Sequence, residues 1–260
     1  MKIATIQFCP TFKDKTANIK RLAALVLQAG EAGARLIAAP ELCTSGYGFM
    51  SKEDAAPFAE TIDSAGMTCN VFKTLASRTN AYIVWGMVER EVGTGDLYNS
   101  QVCMAPDGTW TSFRKINPFG NDWLWAKEGR SNPPIITMLL SGKRPETPPH
   151  PHDKYATKKL GMLICRDIRD KKDSKWTDFY EKGDADVVVL SANWGKGGFP
   201  SNSWMDFARQ NGTILVVSNR YGQECPNDFG EGGICVIWPD GRVVCEGLVW
   251  GQDCIVYADI

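Results

Sequence analysis

The sequence predicts an α/β sandwich. Strand-like and helical runs alternate along most of the chain, and two hairpins turn on Pro106-Asp107-Gly108 and Pro239-Asp240-Gly241. No internal repeat or break in composition marks a second unit, so residues 1–260 are expected to form a single domain.

Each element has a local reason. Ile3–Phe8 is a short apolar run and reads as the opening strand. Thr16–Ala29 carries Ile19, Leu22, Ala23, Val26 and Leu27 at helical spacing. Leu36–Ala39 reads as a strand, Met67–Arg78 as a helix and Ala81–Val88 as a strand. Tyr98–Ala105 and Trp110–Arg114 flank the first Pro-Asp-Gly turn as a hairpin. Leu160–Ile164 is a strand, Lys175–Lys182 a helix and Asp186–Leu190 a strand. Ser203–Asn211 is a helix and Thr213–Ser218 a strand. Gly233–Trp238 and Arg242–Cys245 form the second hairpin, and Cys254–Tyr257 is the last strand. Ser141–Lys154 carries Pro145, Pro148, Pro149 and Pro151, which rule out helix and disfavour a central strand, so it reads as an extended loop.

Composition excludes several function classes. A net charge of −1 gives no electrostatic case for nucleic acid or an anionic membrane. No stretch approaches the roughly 20 apolar residues of a membrane span. The first residues are strand-like and lack the charged and apolar regions of a signal peptide. The nine cysteines are odd in number, fall mostly within apolar runs and include no CxxC pair. That pattern suits reduced thiols, and a cytoplasmic location is expected. His150 and His152 are the only histidines, and no acidic or cysteine cluster accompanies them, so neither metal nor cofactor is expected.

Three segments carry the chemistry. Leu160–Ile164 ends at Cys165, where polarity flips to Arg166 and Asp167. Alone, a cysteine in such a run is more often a small packing residue than a nucleophile. Leu36–Ala39 leads into Pro40-Glu41-Leu42, and a carboxylate shielded at a strand end works as a general base once burial raises its pKa. Alone, Glu41 reads equally as a solvated loop residue. Trp110–Arg114 leads into Lys115, which in isolation reads as a surface lysine.

Taken together and in this order, the segments resemble the nitrilase superfamily, the carbon–nitrogen hydrolases with a Glu-Lys-Cys triad. The resemblance runs through Lys2–Gln7, Pro40-Glu41-Leu42 with Gly46-Tyr47, Arg114-Lys115 and Gly161–Arg169. It continues through Ala192-Asn193-Trp194, Ala208–Asn211, Val217–Arg220 and Pro239–Gly241. It implies a four-layer α-β-β-α sandwich and a homodimer. At this stage Ile260 directly follows the last strand-like run, so a dimer without arm exchange is expected.

The resemblance also implies roles. Cys165 is the nucleophile, Glu41 the general base, and Lys115 a fixed positive charge that favours the thiolate and stabilises the oxyanion. The Arg166 N–H completes the oxyanion hole. Where the family carries a second glutamate this chain has Asp122, one methylene shorter; Glu128, just before Gly129, fits the spacing less well. Asn193 and Trp194 are expected to line the substrate site, with Trp123 and Trp125 divided between pocket and core. The Arg166 side chain either binds a substrate carboxylate or pairs with Asp167, Asp170 or Asp173; abundant charged neighbours favour pairing. The Asp after the first residue past Cys165 favours an amide substrate over a nitrile. The expected function is thus hydrolysis of a non-peptide C–N bond in a small-molecule amide or carbamoyl amine through a Cys165 thioester. An ω-amidase, an N-terminal amidase, an N-carbamoyl-amine hydrolase and a glutaminase module feeding a separate synthetase all fit. Nitrile hydrolysis by the same triad and a non-catalytic interaction protein that keeps the fold remain alternatives.

Overall fold

A computed structural model describes residues 1–63, 66–140, 156–168, 183–195, 197–224 and 226–260. The expected loop at 141–154 and helix at Lys175–Lys182 lie outside the described residues, as do His150 and His152.

In chain order the first strands are β1 (Lys2–Gln7), β2 (Leu36–Ala38), β3 (Tyr82–Arg90), β4 (Leu97–Met104) and β5 (Trp110–Arg114). Next come β6 (Ile135–Leu139), β7 (Thr157–Ile164), β8 (Val187–Ala192) and β9 (Ile214–Asn219). The last are β10 (Gln223–Glu224), β11 (Asn227–Asp228), β12 (Cys235–Ile237), β13 (Val243–Val244) and β14 (Cys254–Asp259). The helices are α1 (Lys15–Glu31), α2 (Lys52–Ala55), α3 (Met67–Thr79), α4 (Asp122–Trp125) and α5 (Asn202–Asn211). One six-stranded sheet has the order β14-β1-β2-β3-β4-β5, the other β13-β12-β9-β8-β7-β6, and β10-β11 is a separate small ribbon.

Side-chain alternation builds the layers. Along β1 to β3, Ile3, Leu36, Ala38, Tyr82 and Val84 face the second sheet. Their neighbours Ala4, Ile6, Ile37, Ile83 and Trp85 face Leu22 and Val26 of α1 and Phe72 and Leu75 of α3. Successive strand residues point to opposite faces, so a strand sandwiched between two layers must be apolar on both. Val187–Leu190 of β8 are fully buried for the same reason, with Trp204 and Ala208 of α5 in the same core. The result is the expected helix-sheet-sheet-helix sandwich. Each fully buried large side chain contributes about 1.5–3 kcal/mol.

Hydrogen bonds stitch the two sheets at their interface. Thr5 Oγ1 donates to the Val217 carbonyl (2.7 Å) and Ser218 Oγ to the Ile6 carbonyl (2.6 Å). Ser191 Oγ donates to the Ala39 carbonyl (2.8 Å) and receives from Gln101 Nε2 (2.8 Å). These buried polar groups are satisfied across the layers, which fixes how one sheet sits on the other.

The predicted strands and helices within the described residues all form, with shifted ends. The strand β6 was not expected. It pairs with β7 at the sheet edge, with Ile135 exposed and Met138 buried, and its run Ile135–Leu140, apolar but for Thr137, was a usable signal that the sequence reading passed over. The short helices α2 and α4 and the β10-β11 ribbon lack a periodic signal long enough to read.

Candidate active site

Glu41 follows β2, Lys115 follows β5 and Cys165 follows β7. The strand ends bring together residues far apart in sequence. Glu41 is 1 % exposed, Lys115 2 %, Asp122 0 % and Cys165 7 %.

Lys115 Nζ donates to Glu41 Oε1 and to Asp122 Oδ2, each at 2.6 Å. Asn99 Nδ2 donates to the same Glu41 oxygen (2.8 Å) and to Asp122 Oδ1 (3.0 Å). Glu41 Oε2 accepts from the Asn193 N–H (2.8 Å), and Asp122 Oδ2 also accepts from the Phe119 N–H (3.0 Å). Every carboxylate oxygen therefore has a donor, the condition under which a buried charge cluster is tolerated. Asp122 joins the cluster with its shorter side chain because the backbone approaches: it sits at the first turn of α4, tied to Phe119. Glu128 does not enter the cluster and lies partly exposed outside it.

The electrostatics favour proton transfer. Burial raises the Glu41 pKa; Lys115 and Asn99 oppose the rise and Asp122 adds to it. Burial pulls Lys115 down, but the charges of Asp122 and Glu41 outweigh it and hold the ammonium well above its ordinary value. Burial also pushes the Cys165 thiol up, reinforced by Glu41, while Lys115 and the Asn193 N–H pull it down. Lys115 thus pulls toward the thiolate, as expected, while burial and the Glu41 charge outweigh that pull.

The backbone beside these groups is strained. Cys165 has φ 44° and Leu42, just after Glu41, has φ 48°, in the left-handed region that non-glycine residues seldom adopt. Gly86 on β3 permits the Glu41 turn to sit close: a Cβ there would lie 2.6 Å from Glu41 Cα and 2.5 Å from the Leu42 nitrogen. Gly86→Ala is therefore expected to cost about 1–3 kcal/mol, the usual scale for overpacking, and to lower kcat by displacing Glu41. Thermal unfolding and steady-state rates check both, and an unchanged melting point with unchanged kcat would remove this role.

The other predicted residues separate. Arg166 does not pair with Asp167, whose Oδ1 instead accepts from the Asn117 N–H (2.8 Å) and Nδ2 (3.1 Å). Burial pushes that carboxyl up to about 7. The Arg166 guanidinium stacks 4.9 Å from the Phe119 ring centre, and Asp170 and Asp173 lie outside the described residues. Trp125 packs in the core against Phe49 (5.7 Å), whereas Trp123 is exposed at a cavity mouth. Trp194 packs edge-on against Trp204 (5.4 Å), and its N–H donates to Asn219 Oδ1 (2.8 Å). The sequence reading missed Asn99, Asn219 and Gly86. A lone glycine inside the apolar run Ala81–Val88 was a usable signal of close backbone approach.

Comparison with known proteins places these observations. A family model described as carbon–nitrogen hydrolase matches residues 2–260. A nitrilase of Pyrococcus abyssi is 32 % identical over 130 residues, which are 50 % of this chain and 48 % of that protein. The chain thus spans about half the length of that relative. An omega-amidase of Xenopus tropicalis is 31 % identical over 267 aligned positions, covering 100 % of this chain and 88 % of the relative. Among solved structures, an amidase from Nesterenkonia shares the fold with a TM-score of 0.76 at 20 % identity, over 100 % of this chain and 90 % of that one.

Proposed function

Because the chain belongs to the carbon–nitrogen hydrolase family, we propose that residues 1–260 act as one catalytic domain that hydrolyses a small-molecule amide with Cys165 as nucleophile. The observation that carries the reading is the buried Glu41–Lys115–Asp122 cluster, in electrostatic contact with a thiol at a strained strand end.

Each group has a task. Cys165 Sγ attacks the amide carbon as Glu41 takes the thiol proton. The developing oxyanion is stabilised by the Lys115 ammonium and the Arg166 N–H, the first after the nucleophile. Collapse breaks the C–N bond, and the proton held by Glu41 goes to the leaving amine. The acyl group remains as a thioester. Glu41 then removes a proton from water, hydroxide adds to the thioester carbon, and Sγ leaves with that proton. Asp122 supports the reading by giving the Lys115 ammonium a second carboxylate partner beside Glu41. The fully paired ion cluster means the base is oriented before substrate arrives.

Intact-protein mass spectrometry after acid quenching tests the reading. Incubation with an amide library is expected to leave an acyl adduct on Cys165 whose mass identifies the acyl group. Amide turnover with no adduct on Cys165, under conditions that make deacylation slow, would refute a thioester route.

Two further expectations follow. Lys115 supplies the fixed positive charge at the oxyanion, so the mechanism calls on no Lewis acid. Dialysis against a strong chelator is expected to leave kcat unchanged, whereas loss restored by zinc would direct attention to His150 and His152. Among the described residues no group of three candidate ligands gathers to hold a metal. The reading also includes a homodimer and a cytoplasmic location, in keeping with the thiol-rich composition. Light scattering at micromolar concentration is expected to give twice the chain mass, and a monomer would overturn the dimer. No described helix is long and apolar enough to cross a membrane.

A further inference from the structure

Next to the buried cluster the surface opens into a cavity of about 270 Å³. Its walls start from both catalytic segments: Ile116 follows Lys115, and Arg166 follows Cys165. Phe119 and Trp123 form an aromatic side, 48 % and 63 % exposed. Two opposite charges, Arg166 and Glu128, line the same space. Among the described residues neither has an ion-pair partner, and they do not pair with each other. The guanidinium is held over the Phe119 ring at 4.9 Å rather than on a carboxylate.

This combination is specific. In the neighbouring cavity Arg114 is paired with Glu89 and Glu91, and Lys127 with Asp96, while Arg130 has no ion pair among the described residues. Small-molecule sites combine apolar walls with a few placed polar groups, and at 270 Å³ this cavity lies just below their usual range of about 300–1,000 Å³. A short metabolite fits it better than a polypeptide. A neutral amide would leave both charges unmatched. A purely anionic amide would satisfy Arg166 but meet Glu128.

We propose that this cavity binds the end of the substrate remote from the scissile amide, and that this end is zwitterionic. A carboxylate sits on Arg166, an ammonium on Glu128, and the connecting carbons lie along Phe119 and Trp123. The substrate class is then the side-chain amide of a free α-amino acid. Arg presents a planar fork to a carboxylate, so its contribution is the larger; Glu128, partly exposed, adds a smaller one. The proposal rests on the reading of Cys165 as the acyl-transfer nucleophile.

Four amides that share three carbons beyond the amide carbon separate the charges: glutamine, glutaramic acid, 4-aminobutanamide and butanamide. The wild-type protein is expected to show at least tenfold higher kcat/KM for glutamine than for butanamide. Arg166→Met is expected to lower kcat/KM for glutamine and glutaramic acid at least tenfold more than for the two amides without a carboxylate. Glu128→Gln is expected to lower it for glutamine and 4-aminobutanamide about threefold more than for the other pair. Equal loss across all four amides in the Arg166 variant, or wild-type kcat/KM as high for butanamide as for glutamine, overturns the zwitterion. The acyl adduct on Cys165 tells the two levels apart. An adduct with butanamide and no preference for glutamine removes this proposal and keeps the nucleophile. No adduct on Cys165 with any of the four removes both.

Discussion

Replacing Cys165 with alanine is expected to abolish turnover and leave the fold in place. The substitution deletes one sulfur from a site that is 7 % exposed, and alanine bears the φ of 44° no worse than cysteine does. Stability is expected to change by about 1 kcal/mol, the cost of a small buried deletion. Catalysis is another matter, because members of a catalytic unit act together and losing the nucleophile alone costs roughly as much as losing the whole set, about 10⁶ in a well-studied hydrolase. A fall of at least about 10⁴ in kcat is expected here on the same grounds. The paired measurement is steady-state turnover of the best amide with thermal unfolding of the same preparation. A folded variant retaining near wild-type turnover would end the mechanism.

Lys115→Ala is expected to be nearly as damaging, and it changes the pH profile as well. Removing one oxyanion donor typically costs about 10²–10³ in kcat. Here the lysine also holds Glu41 and Asp122 at 2.6 Å each. Its loss leaves two carboxylates buried without a counter-charge, a change on the scale of about 3–5 kcal/mol when a buried pair is broken. The sign for activity is clear. Glu41 works as a base only when ionised, so kcat/KM falls as pH drops through its pKa. Burial raises that pKa and Lys115 lowers it, so removing the lysine raises it further and moves the acid limb to higher pH. The sign for stability follows. A carboxyl whose folded pKa lies above its unfolded value binds its proton more tightly when folded. It therefore costs stability as pH rises from the unfolded toward the folded value. The variant should lose least stability in acid and most at neutral pH and above. Asp167 moves in the same direction, because burial holds its carboxyl up at about 7 against the downward pull of Lys115, and losing the lysine removes that pull. An unshifted acid limb in a folded variant, or retention of more than about a tenth of kcat/KM, would show that Lys115 neither tunes Glu41 nor serves the oxyanion.

Much of the site was legible because strand-end residues leave a local mark. Glu41 and Cys165 stand where the apolar runs Leu36–Ala39 and Leu160–Ile164 end, and Lys115 ends the strand-like run Trp110–Arg114. The order of those breaks along the chain identified the family. The alternating cores were legible for a related reason: Thr16–Ala29 and Ala81–Val88 must present apolar residues to whatever covers them, wherever that partner lies in sequence. Asn99 left no such mark. It sits within β4, and only its bonds to Glu41 and Asp122 give it a role.

The sequence alone determined the alternation of strands and helices, the two Pro-Asp-Gly hairpins and which residue types end the catalytic strands. These depend on near neighbours, through periodicity, turn chemistry and the local change from apolar to polar. The tertiary structure decided that Asp122 rather than Glu128 completes the charge cluster, and that Arg166 turns to Phe119 while Asp167 turns to Asn117. It also decided that burial outweighs the pull of Lys115 on the Cys165 thiol. Those outcomes depend on desolvation and on distances between residues brought together from separate strands, and neither quantity exists until the two sheets are packed.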